Sequence, residues 1–138
     1  IHRRNTFVVL VNKDDQLLFN GELGEINLLK ERAKEFLSNP NNLDNLPEKM
    51  TKDIPLLGTV EVSKGVISLQ NDRGTSYEMY LMVQNELTAA VNELRDEMAK
   101  TKFGKAYVDC SEAQREAIDK AIPIAISEAE PKNIGGNK

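Results

Sequence analysis

Asp72 and Arg73 place a carboxylate beside a guanidinium within the run Asn71-Asp72-Arg73-Gly74. This run has the residues of a tight turn, and it lies between strand-forming residues and a long amphipathic segment. The two charges are therefore predicted to lie where a strand ends and a helix begins. A role in the turn and in the electrostatics of the helix terminus is favoured, and contact with a partner is the alternative.

No other group of residues predicts catalysis or metal binding. His2 is the only histidine, so it forms neither a catalytic pair nor a two-histidine metal site. Asp14-Asp15 lacks the Asp-x-Asp-x-Asp-Gly spacing of a calcium loop, and a turn role is favoured. Cys110 is the only cysteine, which excludes an internal disulfide, and it is predicted to be a small buried residue. We therefore expect no enzyme, metal or cofactor.

Composition indicates one small domain with a modest core. The chain has 138 residues, 40% of them hydrophobic, with a net charge of -4. A pI near 5.1 with interleaved charges argues against nucleic acid as a partner. The longest apolar run, 7–11, is far shorter than the roughly 20 residues of a membrane-spanning helix.

The first half of the chain predicts a hairpin, a helix and a long loop. Strands are expected near 6–12 and 16–20, and the helix is expected to begin after an N-cap at Asn27 and to end before Pro40. Apolar residues recur along this helix at Ile26, Leu29, Ala33, Phe36 and Leu37. The polar segment 38–58 is predicted to be an inserted surface loop.

The second half predicts two strands, two helices and a final strand. Residues 59–62 are expected to form a hairpin with a strand at 66–71. Thr75 with Glu78 predicts a capping box and a helix from Ser76, and Ser111 with Gln114 predicts another box and a helix to about Ala121. The apolar face of the longer helix is expected to comprise Tyr77, Tyr80, Leu81, Leu87, Val91, Leu94 and Met98.

A last strand is expected at 122–128, followed by a loose tail over 129–138. Pro123 cannot donate a ladder bond, which predicts that this strand lies at a sheet edge. Ile122, Ile124 and Ile126 are expected to face the helices, while the strand's backbone is open to a second chain. The fold class is therefore predicted to be α+β, a small mixed sheet with helices packed on one face, in one domain over 1–128.

Three units, in order, resemble the periplasmic domain of the ExbD/TolR family over most of residues 6 to 100. They are the hairpin ending in Phe19-Asn20-Gly21-Glu22, the helix after Asn27, and the strand, Asp72 turn and helix with Tyr77. The segment 38–58 and the helix after Ser111 depart from the compact family pattern. The resemblance implies an acidic residue at the strand-to-helix turn and an aromatic residue, here Tyr77, a few positions later as partner contacts.

Members of this family are membrane-anchored partners of inner-membrane proton channels. The resemblance implies an N-terminal transmembrane anchor, absent from this sequence, that carries the proton-carrying aspartate. It also implies a homodimer in the periplasm that works with an ExbB-like channel and a TonB-like protein to support biopolymer transport. An ExbD-like protein of the Bacteroides type is preferred. The alternatives are a TolR-like envelope-integrity subunit and a stand-alone periplasmic ligand- or peptidoglycan-binding module.

Overall fold

The computed structural model describes residues 3–128, which hold seven strands and three α-helices. The predicted tail at 129–138 and His2 lie outside this range. Short 3-10 turns occupy Arg3–Asn5 and Tyr107–Asp109. The strands are β1 (Thr6–Val11), β2 (Leu17–Phe19), β3 (Glu22–Gly24), β4 (Lys49–Ile54), β5 (Gly58–Ser63), β6 (Val66–Asn71) and β7 (Ile126–Glu128). The helices are α1 (Ile26–Ser38), α2 (Tyr77–Phe103) and α3 (Glu112–Ala121).

Five strands form one mixed sheet in the order β3-β2-β1-β6-β7. The predicted hairpin is present, because β1 and β2 pair antiparallel, as do β2 and β3. β1 and β6 run parallel, in a register that pairs Thr6 with Val66 and Val11 with Asn71. β7 pairs parallel with β6 and lies at one edge of the sheet. The prediction of an α+β fold with a small mixed sheet and packed helices is confirmed.

The core lies between this sheet and helices α1 and α2. Alternate residues of β1 and β6 are buried, and so are the core-facing positions of both helices. These residues include Phe7, Val9, Val11, Ile67 and Leu69 from the strands and Leu29, Ala33, Phe36, Leu37, Val83, Leu87 and Val91 from the helices. Full burial of each large side chain is worth about 1.5–3 kcal/mol, which offsets the entropy cost of ordering the chain.

The prediction of one continuous loop over 38–58 is wrong, because the segment contains β4. Lys49–Ile54 pairs antiparallel with all six residues of β5 and forms a separate two-stranded sheet. The predicted hairpin of 59–62 with 66–71 is therefore wrong as well. β4 is rich in lysine and other residues depleted in strands. It is held by its partner strand, whose Val60 and Val62 pack with Ala117 and Ala121 of α3.

The segment between α1 and β4 is organised around Asn39, which is fully buried. Its side-chain amide donates to the carbonyl oxygens of Pro47 at 2.9 Å and Leu43 at 3.2 Å, and its Oδ1 accepts from the Leu43 N–H at 2.8 Å. Helix α1 ends at Ser38 as expected. It begins at Ile26 rather than after Asn27, and the N-cap Glu25 makes no side-chain capping bond.

The predicted cap of α2 is displaced by one residue. Ser76, not Thr75, is the N-cap, and its Oγ accepts from the Met79 N–H at 3.0 Å. Tyr77, predicted to face the sheet, is 74% exposed because it begins the helix on the side away from the core. The helix ends at Phe103, where Gly104 adopts φ 71°, a left-handed conformation that suits glycine.

The capping box of α3 is confirmed. Ser111 accepts from the Gln114 N–H at 3.1 Å, and the Gln114 side chain accepts from the Ser111 N–H at 2.8 Å. The helix ends at Ala121 as predicted. β7 is shorter than the predicted 122–128, since only Ile126–Glu128 pairs with β6. Pro123 therefore lies outside the strand.

Candidate functional site

The predicted site residues lie in two segments that converge on one corner of the sheet. Asp72, Arg73 and Tyr77 belong to the connection from β6 to α2. Ile126 belongs to β7, whose last residue, Glu128, pairs with Leu69 of β6. Leu69 precedes Asp72 by three residues, about 10 Å along an extended chain. The end of β7 and the start of α2 are therefore neighbours.

Asp72 is a buried part of the turn, with 7% of its surface exposed. Its N–H donates to the Val11 carbonyl at 2.8 Å, and its Oδ1 accepts from the Arg73 N–H at 3.0 Å. Asp15 of the β1–β2 turn accepts from the Ser76 N–H at 2.9 Å. These contacts give Asp72 and Asp15 places in the turn, whereas the side chains of Arg73 and Tyr77 are exposed.

The outer edge of β7 offers backbone groups to a further strand. The Ile67 N–H donates to the Ala125 carbonyl at 2.8 Å, and Ile67 lies opposite Ile126. In a parallel ladder the residues flanking this pair, Ala125 and Ser127, direct their backbone groups toward β6. The N–H and C=O groups of Ile126 and Glu128 consequently point away from β6. Within residues 3–128, no strand lies beyond β7.

Glu128 fastens β7 to the first two turns of α2. One carboxylate oxygen accepts from the Tyr80 hydroxyl, and the other accepts from Gln84 Nε2 at 2.7 Å. The pKa of Tyr80 is raised to about 12, mainly by the hydrogen bond to the Glu128 carboxylate and secondly by burial. We call these three residues the Glu128 clamp. The sequence alone does not indicate this clamp, although Tyr80 and Gln84 have the i,i+4 spacing of neighbours on one helix face.

Ile122, Pro123 and Ala125, in the segment that leads into β7, line a cavity of about 180 Å³. Leu94 and Met98 of α2 supply apolar lining, and Lys49 and Glu61 of the β4–β5 hairpin supply charges. The segment is anchored by Arg95, whose Nε donates to the Ile122 carbonyl at 2.8 Å.

The three predicted isoleucines differ in their surroundings. Ile122 and Ile126 are half-buried and pack against the core. Ile124 is 67% exposed, so the expectation that all three face the helices is wrong for this residue. The alternation fails because residues 122–125 precede the strand and do not have its two-residue periodicity.

Within residues 3–128, no cluster of three or more histidine, cysteine or acidic side chains has a geometry that could hold a metal ion. Cys110 is buried, with its Sγ 3.5 Å from the Ala106 carbonyl oxygen. No helix in this described range is long and apolar enough to cross a membrane.

The chain matches no protein-family model, and no curated protein matches it. The β7 edge, the cavity beside it and the resemblance of the sequence units are therefore the observations that bear on function.

Proposed function

We propose that this chain is the periplasmic domain of an ExbD-like subunit, which couples proton flow through an ExbB-like inner-membrane channel to active transport across the outer membrane. The resemblance of the hairpin, the first helix and the Asp72 turn unit supports this function. The observation that carries the proposal is the outer edge of β7, which no other strand of residues 3–128 covers, since an extended segment of a partner adds to such an edge as a new strand.

The edge is suited to binding because β7 is already bonded to two neighbouring elements. The side-chain bonds of the Glu128 clamp hold β7 to α2, and the backbone ladder holds its inner edge to β6. A partner strand then forms backbone hydrogen bonds without first ordering β7, which lowers the entropy cost of binding. The 180 Å³ cavity beside 122–125 provides a place for an apolar side chain of the partner.

In this proposal the domain acts by binding rather than by catalysis. A TonB-like protein supplies an extended segment, and a second copy of the chain forms a homodimer. The N-terminal anchor places the domain in the periplasm and carries the proton-carrying residue. A TolR-like subunit would use the same edge. The two subtypes are therefore distinguished by the outer-membrane system that fails when the subunit is inactivated.

The second candidate is a stand-alone periplasmic ligand- or peptidoglycan-binding module. The observation that favours it is the same cavity, whose lining of apolar and charged residues would suit a small amphiphilic molecule. A cleavable signal peptide on the full-length protein, in place of a hydrophobic anchor of about 20 residues with one aspartate, would identify this class.

The test compares two substitutions of Ile126 in the full-length protein. Ile126→Ala shortens a half-buried side chain and keeps the outward N–H, whereas Ile126→Pro also removes that N–H while the bonds to β6 through Ala125 and Ser127 remain. We expect Ile126→Pro to reduce co-purification with the TonB-like protein and uptake of a substrate that needs active outer-membrane transport. Ile126→Ala should retain both.

Equal partner binding and transport by folded, membrane-inserted Ile126→Pro and Ile126→Ala proteins would show that the edge is not used. Normal transport in cells that lack the protein altogether would instead refute the transport function itself. Circular dichroism and thermal unfolding of the two purified domains establish whether both remain folded.

A further inference from the structure

A cleft at the amino-terminal end of β1 brings together three arginines that are distant in sequence. Arg3 and Arg4 belong to the turn before β1, and Arg32 belongs to α1. They line a cavity of about 340 Å³ together with a single acidic residue, Glu35. We call this site the arginine cleft. Such a concentration of positive charge is unexpected in a chain with a net charge of -4.

Arg4 is fixed by the segment that follows α1. Its Nε donates to the Leu46 carbonyl at 2.7 Å, and its Nη2 donates to the Leu43 carbonyl at 3.1 Å. A guanidinium carries five N–H donors, so these two bonds orient the group and leave donors for a ligand. The entropy cost of ordering the side chain is therefore met before a ligand arrives.

Arg32 is positioned by two aromatic rings. Its guanidinium carbon lies 5.4 Å from the centroid of the Phe19 ring and 5.9 Å from that of Phe7. The two rings are buried and pack edge to face, which makes a rigid platform. A guanidinium stacked on a ring keeps the N–H donors at its rim available.

The arginines are not neutralised by the fold within residues 3–128. None of Arg3, Arg4 and Arg32 takes part in the ion pairs of this region, which involve α1 with α2, α2 with α3, and α2 internally. Three guanidinium groups against one carboxylate leave an excess of two positive charges in the cleft. The complementary ligand is a dianion.

We propose that the arginine cleft binds a phosphate monoester. Such a group carries about −1.5 to −2 charges at neutral pH and offers three acceptor oxygens to guanidinium forks, whereas a single carboxylate carries one charge. The cleft, at about 340 Å³, is far larger than the space that a single water molecule needs. This space accommodates the phosphate and part of the molecule that carries it. The amides of Asn20 and Asn45 add polar lining for that part.

The test is a calorimetric titration of the 138-residue chain with glycerol 3-phosphate at low ionic strength. We expect saturable binding that Arg32→Gln weakens at least tenfold. Lys102→Gln is the matched control, because it removes one positive charge from the exposed end of α2. It should leave the affinity within twofold. Arg3→Gln, which removes an exposed guanidinium from the cleft, should weaken binding several-fold. If Arg32→Gln fails to fold, the affinity of Arg3→Gln tests the proposal in its place.

A second arm identifies the source of the phosphate. Phosphatidylcholine vesicles with and without phosphatidic acid present the same monoester on a lipid. Arg32-dependent binding to glycerol 3-phosphate supports a soluble ligand, and Arg32-dependent binding confined to vesicles with phosphatidic acid supports a lipid headgroup. The absence of saturable binding to either probe, or an equal loss of affinity in Arg32→Gln and Lys102→Gln, would overturn the proposal.

Discussion

The start of α2 permits a direct test of which hydroxyl caps the helix. Ser76 has the extended backbone of an N-cap residue, with φ −75° and ψ 148°, and its Oγ accepts the Met79 N–H at 3.0 Å. Replacing Ser76 by alanine leaves that N–H without its acceptor. The bond is part-buried, so water replaces the hydroxyl only in part. We expect Ser76→Ala to lower the free energy of unfolding by about 1 kcal/mol.

Thr75→Ala is the matched comparison, because it removes a neighbouring hydroxyl that does not cap the helix. The Thr75 hydroxyl accepts only a long hydrogen bond, 3.3 Å, from Asn71 Nδ2. We expect its loss to cost no more than a few tenths of a kcal/mol, in the range of ordinary surface substitutions. Ser76→Asp should retain most of the stability, since aspartate is also a good N-cap and its charge favours the helix N-terminus.

Urea denaturation of the four proteins measures these differences, provided that all of them unfold with the same dependence on urea. A 1 kcal/mol loss should also lower the melting temperature by about 3–5 °C in a domain of this size. If Thr75→Ala costs as much as Ser76→Ala or more, the cap lies at Thr75 and the assigned start of α2 is wrong.

Two further predictions concern ionisable groups that join α2 to its neighbours. The hydrogen bond to Glu128 raises the pKa of Tyr80 from 10.0 to about 12, so its contribution to stability is complete below pH 10 and is lost as the pH rises toward 12. The stability difference between wild type and Tyr80→Phe should therefore shrink over that range in thermal unfolding, and a constant difference would contradict the Glu128 bond. Glu93 accepts from Lys30 at 2.6 Å and Lys34 at 3.1 Å, and these bonds lower its pKa below 4.5. The stabilising effect is present above pH 4.5 and is lost as the pH falls through the lowered value. Glu93→Gln should therefore reduce the melting temperature at pH 7 in low salt, and this reduction should shrink as the pH falls below 4.5 and in 1 M salt.

Local chemistry was sufficient to predict elements whose signals lie within a few residues. The Ser111 box is an example, because the hydroxyl and the amide that satisfy each other are three positions apart. At the start of α2 the same logic selected Thr75 and Glu78, yet the structure uses Ser76. Two adjacent hydroxyl residues are both acceptable caps, and the Ser76 N–H is held by Asp15 from a distant turn. A hydrogen bond between residues 61 positions apart in the sequence therefore favours Ser76 over Thr75 as the cap.

Strand pairing was less predictable, because it depends on which partner is available. The valines of β5 show the expected alternation, but their partner is the polar β4 rather than β6. β6 instead pairs with β1 along one edge and with β7 along the other. The edge position of the last strand was predicted, although Pro123 was expected to lie inside this strand, which begins three residues later.

The residues that define both proposed binding surfaces have no local signal of function. Glu128 becomes part of a clamp only because β7 returns beside the first turns of α2, 44 residues from Gln84 and 48 from Tyr80. Arg4 and Arg32 converge because the start of β1 lies beside α1, while Phe7 and Phe19 supply the platform from two paired strands. A charged residue in a sequence is by default expected to be solvated. Glu128, Arg4 and Arg32 differ from this default because the fold holds their side chains in a fixed geometry.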